Sequence, residues 1–346
     1  MNETNDLKTN TTYFLVIAIL FVAISSIIPV PDGLTRGGLQ MIGIILYAVT
    51  LWAGNITNTA VVGLSAVVLV SFLGIMPAQE ILRSLGSPTL FFMIGSMAIT
   101  VAIETTNIPK KIARFIFSSS RENRRAVVLL FALATAILSS IMSSIAACAL
   151  IAPLAFSLIV SSSRNEEKDN FSKVLMMAIP FSAMIGGIMT PAGTPGNIIC
   201  LESLRKIGCE IGFVNWMVIA YPIGILLTSL VALCLLLVFP FEAKADVNYR
   251  KNDADFIKPC SGKEIKTILI IGLMLVLWIL SSWIPQINTT VVAIAGLCLF
   301  LFPGIEVITW EDYIHKGGLD VSIMIGSVGV LADAAISSGC AGYFNN

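Results

Sequence analysis

Charge is scarce in this chain. Only 12% of its 346 residues are Asp, Glu, Lys or Arg, whereas a soluble domain carries roughly 25% charged residues. So few charged side chains cannot cover a globule of this size with a polar surface. The formal net charge is zero, so the charge balance gives no reason to expect a nucleic acid as a partner.

Groups that perform catalysis or bind metal ions are also scarce. The only histidine, His315, falls in a polar loop and is interpreted as a surface residue. The seven cysteines are scattered without metal-ligand spacing and are interpreted as packing residues. No serine is paired with a base in a recognisable motif. The sequence therefore predicts neither an enzyme nor an organic cofactor.

Apolar residues, in contrast, make up 56% of the chain. A run of about 18 such residues is long enough to cross a bilayer. The sequence therefore predicts an all-α, multi-pass membrane protein. The stretch Ala126–Ser162 fits either two spans or one re-entrant hairpin. The predicted spans are Tyr13–Val30, Gly37–Trp52, Thr59–Met76, Thr89–Glu104, Phe171–Ile188, Trp216–Phe239, Ile265–Ile284, Thr289–Pro303 and Leu319–Ile336.

The basic residues indicate an orientation. With a cytoplasmic N-terminus, and with Ala126–Ser162 entering and leaving on one side, 17 of the 21 Lys and Arg residues lie in cytoplasmic segments. The opposite side then holds only Arg36, Arg83, Arg205 and Lys206. This distribution follows the positive-inside rule. We therefore expect a cell-membrane protein with its N-terminus in the cytoplasm.

A segment of the sequence is written twice. Met93-Ile94-Gly95-Ser96 recurs as Met324-Ile325-Gly326-Ser327, and Trp52 matches Trp283 at the same offset. Residues from about 40 to 110 thus recur from about 270 to 341. In the predicted orientation the two copies run in opposite directions through the membrane. Inverted repeats are typical of secondary transporters, although channels also use repeats.

Two stretches interrupt the apolar pattern, Ser139–Ala147 and Gly186–Asn197. Pro195, with glycines on both sides of it, cannot continue an α-helix. The second stretch is therefore predicted to be a span broken into two half-helices. Free carbonyl groups at such a break suit Na⁺, and a half-helix N-terminus suits an anion. The alternatives are that the serines only join helices by hydrogen bonds and that the break is only a kink.

With these motifs the chain resembles the divalent anion–sodium symporters, which carry dicarboxylates, citrate and sulfate. Gly193-Thr194-Pro195-Gly196-Asn197 is similar to the family's Gly-Thr-Pro-Pro-Asn-like loop, and Gly186-Gly187 precedes it as in the family. Ser143-Ser144-Ile145 aligns with the family's Ser-Asn-Thr hairpin tip, with Pro153 closing the motif. The resemblance implies an inverted-repeat, elevator-type fold that dimerises through scaffold helices, with one hairpin at 126–162 and one broken helix at 171–203.

The resemblance also implies roles for individual residues. Ser144 and Ile145 stand where the family has Asn and Thr. These departures imply a different anion, weaker binding or no transport. The implied Na⁺ ligands are Ser139, Ser143, Ser144, Gly187, Met189 and Thr190. The implied substrate contacts are Ser144, Ile145, Thr194, Pro195 and Asn197.

The resulting domain plan has four parts. Residues 1–12 are a cytoplasmic N-terminus, and 13–241 hold the first span and the first repeat. Residues 242–264 are a cytoplasmic linker, and 265–346 are a partial second repeat with scaffold helices only. The repeat offset places a second hairpin and a second broken loop beyond Asn346, so we expect an incomplete second repeat and no coupled transport by this chain alone.

The leading hypothesis is Na⁺-coupled symport of a small anion, dicarboxylate or sulfate-like, across the lipid bilayer. One alternative is an arsenite or proton-linked exporter with a similar broken loop. Another is a non-transporting membrane scaffold or the product of a decayed gene. Na⁺ dependence of substrate binding would separate the first two.

Overall fold

The protein is described by a computed structural model that covers residues 2–120, 123–161, 167–242 and 260–343. These residues form sixteen α-helices, in agreement with the expected all-α membrane fold. The chain divides into two compact units, one of residues Met1–Phe91 and Gly318–Asn346 and the other of Phe92–Gly317. The boundary between the units falls inside the fifth helix.

The first unit contains six complete helices. They are α1 (Asn2–Ile27), α2 (Arg36–Ala53), α3 (Thr59–Phe72), α4 (Ala78–Leu85), α15 (Leu319–Ser337) and α16 (Cys340–Tyr343).

The second unit contains most of α5 (Pro88–Glu104) and nine further helices. They are α6 (Ile108–Ser120), α7 (Arg124–Ser139), α8 (Ser144–Ser161), α9 (Glu167–Gly187), α10 (Pro195–Lys206), α11 (Phe213–Val238), α12 (Gly262–Leu280), α13 (Thr289–Leu301) and α14 (Trp310–Lys316).

Several of these helices suit a membrane. Among the described residues, four helical segments are long and apolar enough to cross one: Arg36–Ala53, Ala78–Glu104, Phe213–Val238 and Leu319–Ser337. The apolar helices Thr59–Phe72, Ser144–Val160 and Thr289–Leu301 are shorter. The family reported below consists of transporters, and together these findings identify a membrane protein.

The first unit is held together by a close crossing of α3 and α15. A Cβ atom on Gly63 would lie 2.7 Å from Cβ of Ser327, so no side chain fits at this position. Apolar side chains of α2 and α3 pack around the same contact, with Met41, Ile44 and Val62 fully buried. The small residues let the two backbones approach, as at interhelical contacts in membranes.

The second unit is built on α7, α9 and α11, which pack against one another. Helix α7 and helix α8 form a hairpin whose turn is residues 140–143. At about 1.5 Å per residue, these helices are about 24 and 27 Å long, slightly short of the roughly 30 Å core of a bilayer. Their length therefore favours a re-entrant hairpin over two full spans.

Two polar contacts fix other helices of the second unit. Lys111 of α6 forms an ion pair with Glu264, whose side chain is almost fully buried in the first turn of α12. Tyr313 of α14 donates its hydroxyl to the carbonyl oxygen of Ile94 at 2.6 Å. Burial raises the pKa of Tyr313 to about 12, so this residue remains a neutral donor at physiological pH.

The sequence repeat recurs as a repeat of helices. Helices α2 to α5 are followed in the same order by their counterparts α12 to α15. Asn58 and Asn288 cap the N-termini of α3 and α13 with their side-chain oxygens. Gly74 and Gly304, which follow these helices, both adopt left-handed backbone angles, with φ of 68° and 89°. Equivalent residues therefore perform equivalent structural tasks in the two copies.

The tryptophans give one correction to the repeat as read from the sequence. Trp52 donates its indole N–H to the carbonyl of Thr59, but Trp283, its partner at the constant offset, is 67% exposed. The equivalent bond is made by Trp278, which donates to Thr289 and is fully buried. The reason is an insertion, since residues 281–288 join α12 to α13, whereas only residues 54–58 join α2 to α3.

Helices α5 and α13 meet at a second crossing of small residues, inside the second unit. A Cβ atom on Gly95 would overlap the backbone of Ala293 and lie 2.7 Å from its Cβ. By the repeat offset, Ala293 is the counterpart of Gly63 and α5 is the counterpart of α15. Each crossing thus pairs a helix of one repeat with a helix of the other.

We predict that Gly95→Ala lowers the stability of the purified chain by about 1–3 kcal/mol, because backbone must move to admit the methyl group. The matched control is Gly272→Ala in α12, where a Cβ atom meets no atom within 4 Å. That change should be neutral or should stabilise the helix by up to about 1 kcal/mol. The measurement is thermal unfolding in detergent, and equal effects of both substitutions would contradict the crossing.

Candidate functional site

Two helices of the second unit end beside each other. Helices α7 and α9 run parallel, since Arg124 at the start of α7 stacks on the ring of Phe171 in α9 at 5.4 Å. Near their other ends, the hydroxyl of Ser139 donates to the carbonyl oxygen of Ala183 at 2.6 Å. The carboxyl ends of helices carry partial negative charge. Their meeting at Ser139 and Gly187 therefore makes a place that favours a cation.

Two further helices begin at the same place. The turn 140–143 leads into α8 at Ser144, and the loop 188–194 leads into α10 at Pro195. The turn and the loop are joined directly, because the hydroxyl of Thr190 donates to the carbonyl of Ser140. The amino ends of helices carry partial positive charge and free N–H groups. The same region therefore offers favourable positions for an anion as well.

Two serine hydroxyls face each other between these helix ends. The Oγ atoms of Ser139 and Ser144 lie 2.9 Å apart, and Ser139 is fully buried. Gly187 packs directly against this pair, since a Cβ atom on it would lie 2.5 Å from Oγ of Ser144. Hydroxyl oxygens and the adjacent helix carbonyls are the kind of ligands that bind a small hard cation.

A cavity of about 20 Å³ lies next to the serine pair. Its volume suits one water molecule or a bare small cation. The backbone N–H of Ser143 donates to the hydroxyl of Thr100 at 3.2 Å across one of its walls. The lining residues are Met93, Ser96, Met97 and Thr100 of α5, Met142 and Ser143 of the turn, and Ala192, Gly193 and Pro195 of the loop.

Side-chain donors hold the broken loop in shape. The amide of Asn197, which is 5% exposed, donates to the carbonyls of Gly187 at 2.8 Å and Thr190 at 2.7 Å. The indole N–H of Trp216 in α11 donates to the carbonyl of Ile188 at 2.9 Å. These bonds satisfy carbonyl groups that a broken helix leaves without their helical partners.

Glycine is required where the loop crosses the helix ends. A Cβ atom on Gly193 would lie 2.5 Å from the carbonyl oxygen of Gly187 and 3.0 Å from that of Ser139. Gly186 packs in the same way against the backbone of Ala136. The two half-helices and the hairpin can approach only because these positions carry no side chain.

The structure brings most of the residues singled out in the sequence to one place. Ser139, Ser144, Gly187, Thr190 and Asn197 meet around the helix ends, and Ser143 and Pro195 line the neighbouring cavity. Thr194 stands at the N-cap of α10 without a side-chain capping bond. Their roles as Na⁺ or substrate ligands remain predictions.

Two of the predicted residues have different surroundings. The side chain of Met189 is fully buried against Gly224 of α11, which leaves only its backbone for a cation. Ile145 is 83% exposed and does not line the cavity.

Some residues of the site were not found by sequence reasoning. Gly193 was read only as part of the loop motif, although its position against two carbonyls is central. Ser96 and Thr100 of α5 line the cavity, and their i, i+4 spacing on one helix face was the available signal. The repeated Met-Ile-Gly-Ser motif therefore contributes both to helix packing and to the wall of the site.

The chemical character of the site is oxygen-rich and uncharged. Neither the cavity lining nor the hydrogen bonds described above include a Lys, Arg, His, Asp or Glu side chain. Within the described residues, no group of three or more His, Cys, Asp or Glu side chains could hold a metal ion. The arrangement is therefore suited to binding rather than to acid–base or nucleophilic chemistry.

Comparison with known proteins identifies relatives of this chain. Residues 41–346 match the citrate transporter family. The chain is 25% identical over 326 residues to the sodium-dependent dicarboxylate transporter SdcS of Staphylococcus saprophyticus, a match that covers 86% of this chain and 62% of that protein. It is 25% identical over 312 residues to SdcS of Staphylococcus aureus strain USA300, covering 81% and 59%.

An uncharacterized transporter of Haemophilus influenzae is also 25% identical, over 288 residues that cover 83% of this chain and 59% of that protein. The chain thus spans about three fifths of the length of the relatives it matches. These matches confirm the resemblance to carriers of citrate and dicarboxylates. They identify relatives that are transporters and not enzymes.

For the site we predict that Gly193→Ala lowers the unfolding temperature, with a loss on the order of 1–3 kcal/mol, because the methyl group would press on the carbonyls of Gly187 and Ser139. Gly196→Ala, three residues away in the same loop, is the control, since a Cβ atom there meets nothing within 4 Å. Thermal unfolding and monodispersity in detergent measure both variants. If Gly193→Ala were as stable as Gly196→Ala, the close approach of loop and helix ends would be wrong.

Proposed function

Since the chain belongs to the citrate transporter family, we propose that it forms the binding site of a Na⁺-coupled carrier for a small anion, a dicarboxylate or a sulfate-like ion. The observation that supports this most strongly is the meeting of four helix ends at Ser139, Ser144, Gly187 and Pro195. Two of these ends favour a cation and two favour an anion. A site that binds both ions together is what symport requires.

The choice of Na⁺ over a proton rests on the chemistry of the site. A proton-linked carrier needs a group whose protonation changes during transport. The residues that line the cavity and those that hydrogen-bond around it offer hydroxyls, amides and carbonyls, with no carboxylate or imidazole among them. These are ligands for a cation and poor carriers of a proton. The relatives named as sodium-dependent dicarboxylate transporters are in keeping with this assignment.

The anion has to be held without a basic side chain, so we propose that Na⁺ supplies the opposite charge. In addition, Ser144 offers one hydroxyl and the exposed Ile145 offers no hydrogen bond. Fewer direct contacts should make anion binding weak and strongly dependent on bound Na⁺. We expect the chain by itself to bind ions without transporting them, since the hairpin and the broken helix occur once among the described helices.

We further propose that the two repeats are inverted and that the protein works by an elevator mechanism as a dimer joined through its scaffold helices, with a cytoplasmic N-terminus. The two small-residue crossings, Gly63 with Ser327 and Gly95 with Ala293, support the inversion. Each of them pairs a helix of one repeat with a helix of the other, as a two-fold relation between repeats requires.

We predict that Na⁺ raises the unfolding temperature of the purified chain, whereas K⁺ and choline at the same ionic strength do not. A ligand at ten times its Kd stabilises the folded state by about 1.4 kcal/mol. Citrate or succinate should add a second increase, and only in the presence of Na⁺, because the anion needs the cation's charge. Thermal unfolding with each ion alone and with both together measures this coupling.

The pH dependence of the same measurement provides the control. A proton-linked carrier would show an anion effect that grows as the pH falls and is independent of Na⁺. A non-transporting scaffold would show no ion-specific effect at all. Either result would contradict the proposed function.

A further inference from the structure

A single side chain spans the broken helix. Asn197 lies in the first turn of α10, and its amide nitrogen donates to the last residue of α9, Gly187, and to the loop residue Thr190. The end of one half-helix, the loop and the start of the next half-helix are thus connected through one amide group. Asn197 is almost fully buried, so water does not replace these bonds.

The side-chain chemistry explains why asparagine suits this position. An amide NH₂ group has two hydrogens to donate, whereas a hydroxyl has one and a carboxylate has none. Both hydrogens are used here, at distances of 2.8 and 2.7 Å. A buried carbonyl left without a donor costs about 1–3 kcal/mol. Loss of the amide would therefore release two carbonyls and let the loop change its path.

The path of the loop decides the geometry of the serine pair's surroundings. Gly193 lies against the carbonyls of Gly187 and Ser139, and Gly187 in turn lies against the hydroxyl of Ser144. The carbonyl of Gly187 that Asn197 fixes is thus part of the wall beside Ser139 and Ser144. A carbonyl has two lone pairs, so the amide can fix its direction while one lone pair remains for a cation.

We propose that Asn197 is a positioning residue, whose amide clamps the broken loop across Gly187 and Thr190 and thereby sets the Na⁺ affinity of the site beside Ser139 and Ser144. Asn197 then acts through the carbonyls and does not itself contact the cation or the anion. The inference rests on the proposed function, because it assumes that Na⁺ binds at this site.

The test compares the full-length chain with three variants. Asn197→Ala removes the amide, Asn197→Leu removes both donors but keeps a branched side chain of similar size, and Asn197→Ser is a milder change that keeps one donor. The half-saturating Na⁺ concentration is read from thermal unfolding over a Na⁺ titration at constant ionic strength. We expect it to rise at least tenfold for Asn197→Ala and Asn197→Leu, and less for Asn197→Ser.

Trp216→Phe is the matched control. It removes the indole donor to Ile188 in the same loop but leaves the carbonyls of Gly187 and Thr190 unchanged. It should lower the unfolding temperature while the half-saturating Na⁺ concentration stays within about twofold of the native value. A purely structural role for Asn197 would give the same pattern in its variants, and that result would overturn the proposal.

A second measurement separates this inference from the proposed function. Hydrogen–deuterium exchange of residues 186–194 reports the clamp without any added ion. We expect faster exchange in the Asn197 variants than in the native chain, and unchanged exchange would overturn the proposal. A native chain that shows no Na⁺ effect would contradict the proposed function instead, while the exchange data would still decide whether Asn197 holds the loop.

Discussion

The carbonyl groups between Gly187 and Pro195 have lost their helical partners, and this chain must satisfy them within an apolar protein. Helix α9 cannot continue, because Pro195 lacks an N–H group and fits only at the start of a helix. The carbonyls of Gly187, Ile188 and Thr190 therefore take donors from Asn197 and Trp216. The positions of α10 and α11 relative to the loop follow from this demand.

The same demand explains the glycines around the break. The loop can reach its donors only if it runs across the ends of α7 and α9, where Gly186 and Gly193 allow backbone to meet backbone. This close approach brings the hydroxyls of Ser139 and Ser144 to the carboxyl ends of two helices. A polar site without a charged side chain is the result. Its affinity for ions has to come from helix ends, hydroxyls and carbonyls.

Much of this arrangement could be predicted from the sequence, because local chemistry determines it. Pro195 and its neighbouring glycines predict the break in the helix, and the Met-Ile-Gly-Ser repeat predicts the corresponding helices α5 and α15. Features that depend on three-dimensional distance could not be predicted. The targets of the Asn197 amide are ten and seven residues away, and no spacing rule indicates them.

The tryptophan pair shows a different limit. A constant offset selects Trp283, but the longer connection before α13 moves the structural role to Trp278. The short helices α4 and α14 were also missed, since eight and seven residues are too few for a clear periodic pattern. Sequence periodicity thus identifies long elements well, but insertions and short helices escape it.

The account depends on a cation that binds beside Ser139, and direct binding of radioactive Na⁺ to the purified chain tests this most simply. We predict saturable binding by the native chain and its loss in Ser139→Ala. Ser157→Ala should bind as the native chain does, because this exposed serine of α8 bonds only to its own helix, at Leu154. Equal Na⁺ binding by the native chain and Ser139→Ala, or no saturable binding by the native chain, would contradict the account.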